Sequence, residues 1–195
     1  MYALARDATL PPASRWERFR QLRDALFAGH PCSPLAAGDR HDRTAVPYFP
    51  YDPASRVLAT AEAAPGDPFE IHLREDGAFR LVRVAWLRFA LRGRPLGLAV
   101  YRRLGYGGGL FVPFRDATAG GETYGGGRYL IDTVKHADLG TEDGLMVLDF
   151  NFAYHPSCAY SPRWDCPLAP PENRLEVRIE AGERLPRAGW RSAQT

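Results

Sequence analysis

Three carboxylates are placed to move a proton: Asp116, Asp149 and Glu172. They fall in two polar stretches, residues 107–130 (GGGLFVPFRDATAGGETYGGGRYL) and 148–175 (LDFNFAYHPSCAYSPRWDCPLAPPENRL). Beside them stand groups that could hold a ligand: Arg115, Thr118, Glu122, Tyr124, Arg128, Asn151 and Asn173. A carboxyl whose pKa is raised inside a closed site serves as a general acid or base, so hydrolysis or proton transfer suits these residue types. The same groups have a plainer use. Arg115 and Asp116 can brace the loop that follows them, and Glu172 and Asn173 can cap the proline-rich strap 167–173. The residue types fit a small-molecule-binding protein with hydrolytic or proton-transfer activity or, alternatively, a non-catalytic structural or protein-interaction module whose polar motifs only brace loops.

The glycines at 107–109, 120–121 and 125–127 permit close backbone approach to a ligand. The Lys-Ser/Thr ending of a phosphate-binding loop is absent, and no strand-to-helix step follows, so no nucleotide cofactor is expected. His155, Cys158, Asp165 and Cys166 invite a metal reading, with His30 and Cys32 as distant additions. Seven residues separate Cys158 from Cys166, which is not a zinc-knuckle spacing, and no metal is expected. A Cys158–His155 nucleophile pair would need the Pro156 turn to fold the two together. A disulfide between Cys158 and Cys166 is disfavoured in a reducing compartment, leaving two buried small apolar thiols as the default.

Arginine and lysine exceed the acids by 25 to 23, which gives no electrostatic reason to expect nucleic acid or an anionic membrane as partner. No window approaches the roughly 20 apolar residues that span a bilayer. The first residues lack a basic start and an apolar run, so a cytoplasmic protein with a small-molecule ligand is the expected setting. Oligomeric state is not written in the sequence.

These residues need a scaffold. Residues 1–13 read as a loose leader, and 186–195 as a flexible tail flanking a single β-rich domain, 14–185. Ser14 with Glu17 forms a capping-box pattern that opens a helix. Trp16, Phe19, Leu22, Arg23, Leu26 and Phe27 make its apolar stripe, and Gly29 with Pro31 ends it. Residues 30–56 form an ordered loop carrying Tyr48, Phe49 and Tyr51. From Val57 the pattern turns β, with strands expected at 57–63, 68–74, 79–92, 96–103, 110–115, 128–134, 145–152 and 174–181. Asp76-Gly77 favours a tight hairpin. In the longest strand the apolar parity switches from Val82, Val84 and Trp86 to Leu87, Phe89 and Leu91, which asks for a bulge near Trp86. Asp149 and Asn151 fall on one face of their strand. In the last strand Leu175, Val177 and Ile179 alternate with Arg174, Glu176, Arg178 and Glu180. The fold expected is mainly β: an antiparallel barrel or curled sandwich of about eight strands with one N-terminal amphipathic helix.

Several long motifs resemble one bacterial and archaeal family: SPL at 33–35, YFPYDPASRV at 48–57, FVPFRDATAGGETYGGGRYL, LDFNFAYHPSCAY and CPLAPPENRLEVRIEAGE. It is the family known as domain of unknown function 1684. The resemblance runs from the Ser14 helix to about Glu183 and implies one domain, with no catalytic residues to carry over. The chain departs from the family pattern at His155, where asparagine is expected, and at Cys32, where an acidic or polar residue is usual.

Overall fold

The computed structural model describes residues 1–40, 45–73, 77–105 and 108–185. The expected tail 186–195, Asp76 of the expected hairpin and Gly107 lie outside the described residues.

The domain is mainly β. Its strands are β1 Arg56–Ala63, β2 Pro68–His72, β3 Ala78–Leu91, β4 Arg94–Arg103, β5 Leu110–Phe114, β6 Arg128–Asp132, β7 Thr141–Glu142 and β8 Leu145–Asp149. They form one antiparallel sheet, curled as a half-barrel, in the order β6-β5-β4-β3-β1-β8-β7, with β2 paired to β3 off that path. Short loops join the sequential pairs β2–β3, β3–β4, β4–β5 and β7–β8 and account for their antiparallel pairing. A pair of backbone hydrogen bonds, Tyr129 N to Tyr154 O at 2.8 Å and Tyr154 N to Tyr129 O at 3.1 Å, ties β6 to the chain that follows β8.

The bulge expected in the longest strand is present. The β3–β4 register shifts between Arg83 and Ala85. On its far edge β3 pairs with β2 from Ala78 to Val82 and with β1 from Ala85 to Arg88. The irregularity therefore sits where β3 changes neighbours, and the bend lets one strand serve two partners.

Alternate residues feed two clusters, as a pleat of period two requires. Leu98, Val100, Val112 and Phe114 point into the main core with Leu87, Phe89, Leu148, Phe150 and Ile179. Tyr101 and Phe111 point to the other side, against Tyr129, Phe152 and Tyr154. The helix α2, Pro12–Gly29, covers that second cluster with Trp16 and Phe19. Each such aromatic, taken from water, contributes about 2–3 kcal/mol.

Four sequence expectations change. The helix begins at Pro12 rather than Ser14, with Pro11 at the cap position and no side-chain cap bond, so no capping box forms. Proline at the first helical position has φ already set and no amide to leave unpaired, and this starts the helix earlier. Leu22 is exposed, so the stripe is narrower than its spacing suggested. The leader is not loose where it carries α1, Tyr2–Ala5: Tyr2 and Ala5 are buried, and the Tyr2 hydroxyl donates to Phe152 O at 3.2 Å. The expected strands 145–152 and 174–181 are also altered. β8 stops at Asp149, where a 3₁₀ turn, Phe150–Phe152, begins. Residues 174–181 keep the alternating burial but belong to no strand. Apart from a local bond of Arg174 N to Pro171 O, their backbone-to-backbone hydrogen bonds among the described residues go to residues 115–117, through Leu175 N to Arg115 O at 2.7 Å and Ala117 N to Val177 O at 3.0 Å. That neighbour leaves the sheet at once for a turn, so no ladder can propagate.

Candidate functional site

The predicted site residues fall into three separate groups, with Glu122 and Tyr124 outside them. The first is centred on Asp116, just beyond β5. Its carboxylate accepts from Ile179 N at 2.8 Å, Thr118 N at 3.2 Å and Thr118 Oγ1 at 2.9 Å. Arg128, at the start of β6 and 1 % exposed, adds a donor at 3.2 Å. Arg128 Nη1 and Nη2 also reach Ile179 O at 2.9 Å and the carbonyls of Ala181 and Glu183, while its buried Nε has no hydrogen-bond partner among the described residues. Burial pulls the Arg128 pKa down, and Asp116 works against that loss. Thr118 continues to Thr123 Oγ1 at 2.9 Å. Asn173 is equally occupied: it accepts from Ala99 N at 2.7 Å and donates to Ala99 O at 3.0 Å and Pro113 O at 2.7 Å. Arg115 enters only through its backbone, which pairs with Asn173 O and Leu175 N. Every lone pair of Asp116 has a donor, so this group ties residues 173–183 to β5 and β6.

The second group is Glu172 at the surface, accepting from Tyr101 Oη at 2.6 Å and Arg83 at 3.2 Å. Burial, then the bond to Glu172, raises the Tyr101 phenol. Glu122 lies apart from it in exposed pairs with Arg178 and Arg184. Tyr124 is used through its backbone N–H, which donates to His155 Nε2 at 3.2 Å, and through a bond to the Cys158 thiol.

The third group is Asp149 with Asn151. The 3₁₀ turn removes Asn151 from the alternating face expected for it. Instead Asn151 donates to Asp149 Oδ1 twice, from its backbone at 3.0 Å and its side chain at 2.8 Å. It also clamps residue 52, accepting from Asp52 N at 3.0 Å and donating to Asp52 O at 2.8 Å. Asp149 is 4 % exposed, yet its Oδ2 has no hydrogen-bond partner among the described residues. Burial raises its pKa above the usual aspartate range, against the pull of the Asn151 donors, Arg56 and Arg15. It lines a cleft of about 80 Å³ whose wall also includes Ala5, Arg6, Arg15, Arg56 and Glu142.

A centre that sequence reasoning missed lies at Glu183, which is 0 % exposed. Its carboxylate accepts from Arg23 Nε at 2.6 Å, Tyr160 Oη at 2.7 Å, His155 N at 2.8 Å and Tyr48 Oη at 3.2 Å. Burial opposes its charge, but Arg23 and His155 hold the carboxyl below the usual glutamate range. The signal was present in the helix. Arg23 interrupts an apolar stripe, and a buried cation demands an anion. Gly182 delivers Glu183 with a left-handed φ of 81°, where a Cβ would lie 2.6 Å from Ala153 O.

His155 is neutral here. Nε2 accepts from Tyr124 N–H, so Nδ1 carries the proton and donates to Tyr160 Oη at 3.2 Å. Burial takes its pKa down to about 3. Both ring nitrogens are engaged, and the Cys158 thiol bonds to Cys166 and Tyr124. The Cys158–His155 nucleophile pair therefore does not form.

Among the described residues no helix is long and apolar enough to cross a membrane. No curated protein matches the chain. A solved structure that is similar is the solution NMR structure of an uncharacterized protein from gene locus rrnAC0354 of Haloarcula marismortui. It is 38% identical, with a TM-score of 0.64, and the match covers 89% of this chain and 94% of that one. The family description "Protein of unknown function (DUF1684)" matches residues 42–184. With that match across most of its length, and the same fold in a clearly related protein, the chain belongs to the DUF1684 family.

Proposed function

We propose that the cleft at Asp149 is a small-molecule site in which Asp149 exchanges a proton with its ligand. One observation carries the reading. Asp149 is a buried carboxyl with a raised pKa, fixed through one oxygen by Asn151 and left with the other unmatched beside a cleft. Asp116 and Glu172, the other carboxylates expected to do chemistry, have strong internal donors and are not among the residues that line this cleft. The site residues narrow accordingly to Asp149, with Asn151 as its positioning residue.

The cleft walls favour a small polar ligand with an anionic oxygen. Arg15, Arg56 and Arg6 stand against Asp149 and Glu142. Arg6 is paired with Asp138 and Arg56 with Glu142, whereas Arg15 gives Nη1 to Ala5 O at 3.3 Å and its buried Nε has no hydrogen-bond partner among the described residues. A cleft of about 80 Å³ admits a molecule of a few heavy atoms, such as a short carboxylic or hydroxy acid. A carboxyl poised toward neutrality can take a proton from such a ligand or return one.

The test is carbon-detected NMR of the Asp149 carboxyl, titrated with acetate, lactate and pyruvate in turn. At least one acid should shift the Asp149 and Asn151 signals saturably, and Arg15→Met should weaken that binding tenfold or more. An Asp149 carboxyl that titrates at the ordinary aspartate value and ignores all three acids would remove the proposal.

A further inference from the structure

A second feature, unrelated to the Asp149 cleft, involves the two cysteines set aside at the outset. Cys158 and Cys166 lie side by side with their thiols hydrogen-bonded to one another. The backbone N–H groups of Cys158 and Ser157 also bond to the Cys166 sulfur. Cys166 lines a surface groove of about 330 Å³, together with Phe69, Ile71, Leu168, Pro170 and His72. Cys158 is not among the groove-lining residues and bonds to the Tyr124 side chain. The loop bearing both is pinned. Tyr129 Oη donates to Pro167 O at 2.7 Å, Trp164 Nε1 to Pro34 O at 2.9 Å, and Arg163 to Ser33 O at 2.8 Å. Neither sulfur is locked in a disulfide.

We infer that Cys158 and Cys166 form a redox-active dithiol, with Cys166 as the attacking sulfur and Cys158 as the resolving one, acting on small disulfides that carry apolar groups. Three donors converge on Cys166 and favour its thiolate. The bond from the Cys158 thiol is the largest influence and outweighs burial, and together they take the Cys166 pKa down to about 7. The same bond, followed by burial, pushes the Cys158 thiol up, so the two sulfurs are unequal. That inequality suits a division into attacker and resolver. The groove wall of Phe69, Ile71, Leu168 and Pro170 accounts for the apolar preference.

The Cys166 thiolate attacks one sulfur of RSSR, the S–S bond breaks, and RS⁻ leaves to take up a proton. Cys158, losing its proton to solvent, then attacks the Cys166 sulfur and expels the second RS⁻, which is protonated in turn. The protein ends with a Cys158–Cys166 disulfide, and the substrate is reduced to two thiols.

The test uses the full chain with Cys32→Ser, which removes the exposed third thiol. The probe is dithiodipyridine, a neutral aromatic disulfide. The expected result is release of two thiopyridones per chain, no retained adduct, and an intact mass lower by two hydrogens. At pH 6 the first release should be about fivefold faster than from a cysteine peptide, from the greater thiolate fraction less the lower nucleophilicity of a weaker base. Adding Cys158→Ser should give one release and a stable adduct on Cys166. Oxidised glutathione, which is hydrophilic, should react more slowly relative to the peptide than dithiodipyridine does. An adduct retained on the Cys32→Ser protein, or release no faster than from the peptide, overturns the dithiol. Equal relative rates for both disulfides overturn the apolar preference.

Discussion

Asp116 and Asp149 share a local structure and differ in almost everything else. Each is a buried aspartate at or just past a strand end. Each accepts a backbone N–H from the polar residue two positions on, Thr118 or Asn151, and a bond from that residue's side chain. Asp116 then also receives Arg128 and Ile179 N. Asp149 receives nothing further among the described residues and faces a cleft. The Asp-x-polar motif makes the same local contacts to the carboxylate at both sites, and distant residues decide whether the carboxylate becomes a brace or a reactive group.

Breaking the brace should produce the largest effect. Asp116→Ala leaves Arg128 as an unpaired buried cation, and urea denaturation should show a loss of about 3–5 kcal/mol. A loss below about 1 kcal/mol would mean the two aspartates do not differ as described.

Acidification probes the neighbouring Glu183 centre. His155 has a pKa of about 3 when folded and 6.5 as its unperturbed value, so the unfolded chain takes its proton first as pH falls. Stability contributed by neutral His155 is full above pH 6.5 and declines below it, by up to about 1.4 kcal/mol per pH unit. Glu183, lowered in the fold, adds to the decline below its unperturbed 4.5. In His155→Asn, denaturation midpoints between pH 6.5 and 5 should lose most of that slope. An unchanged slope would place the acid sensitivity elsewhere.

Asp149 should behave in the opposite sense. Its folded pKa is raised, so its contribution is present below 3.8 and is lost as pH rises through the folded value. Asp149→Asn should therefore leave stability at neutral pH the same or higher, within about 1 kcal/mol, while abolishing binding of the acids described above. A marked destabilisation would make Asp149 another brace. The smallest change should come from Glu172→Gln at the surface, less than about 1 kcal/mol by thermal melting.

Much of the scaffold was legible in the sequence, because strands that alternate and turns marked by glycine depend on local pattern. The β3 bulge was readable from the parity switch around Trp86. Residues 174–181 misled because alternation of Leu175, Val177 and Ile179 reports burial, whereas a strand also needs a long enough neighbour. The site was less legible. Nothing near Asp116 announces Arg128 and Ile179 as partners, and nothing near Asp149 announces their lack. Glu183 reads as an ordinary surface acid until Arg23, in a helix 160 residues earlier, is placed against it.

The first helix carries a consequence for how this protein is made. Ala5 and Arg6 form part of the wall of the Asp149 cleft, and they are held there by Tyr2 on Phe152, 150 residues away, and by Arg6 on Asp138, 132 residues away. That segment thus docks on partners made 132 and 150 residues later. Until those partners have been made and folded the cleft lacks this part of its wall, so a ligand that needs it is met only afterwards.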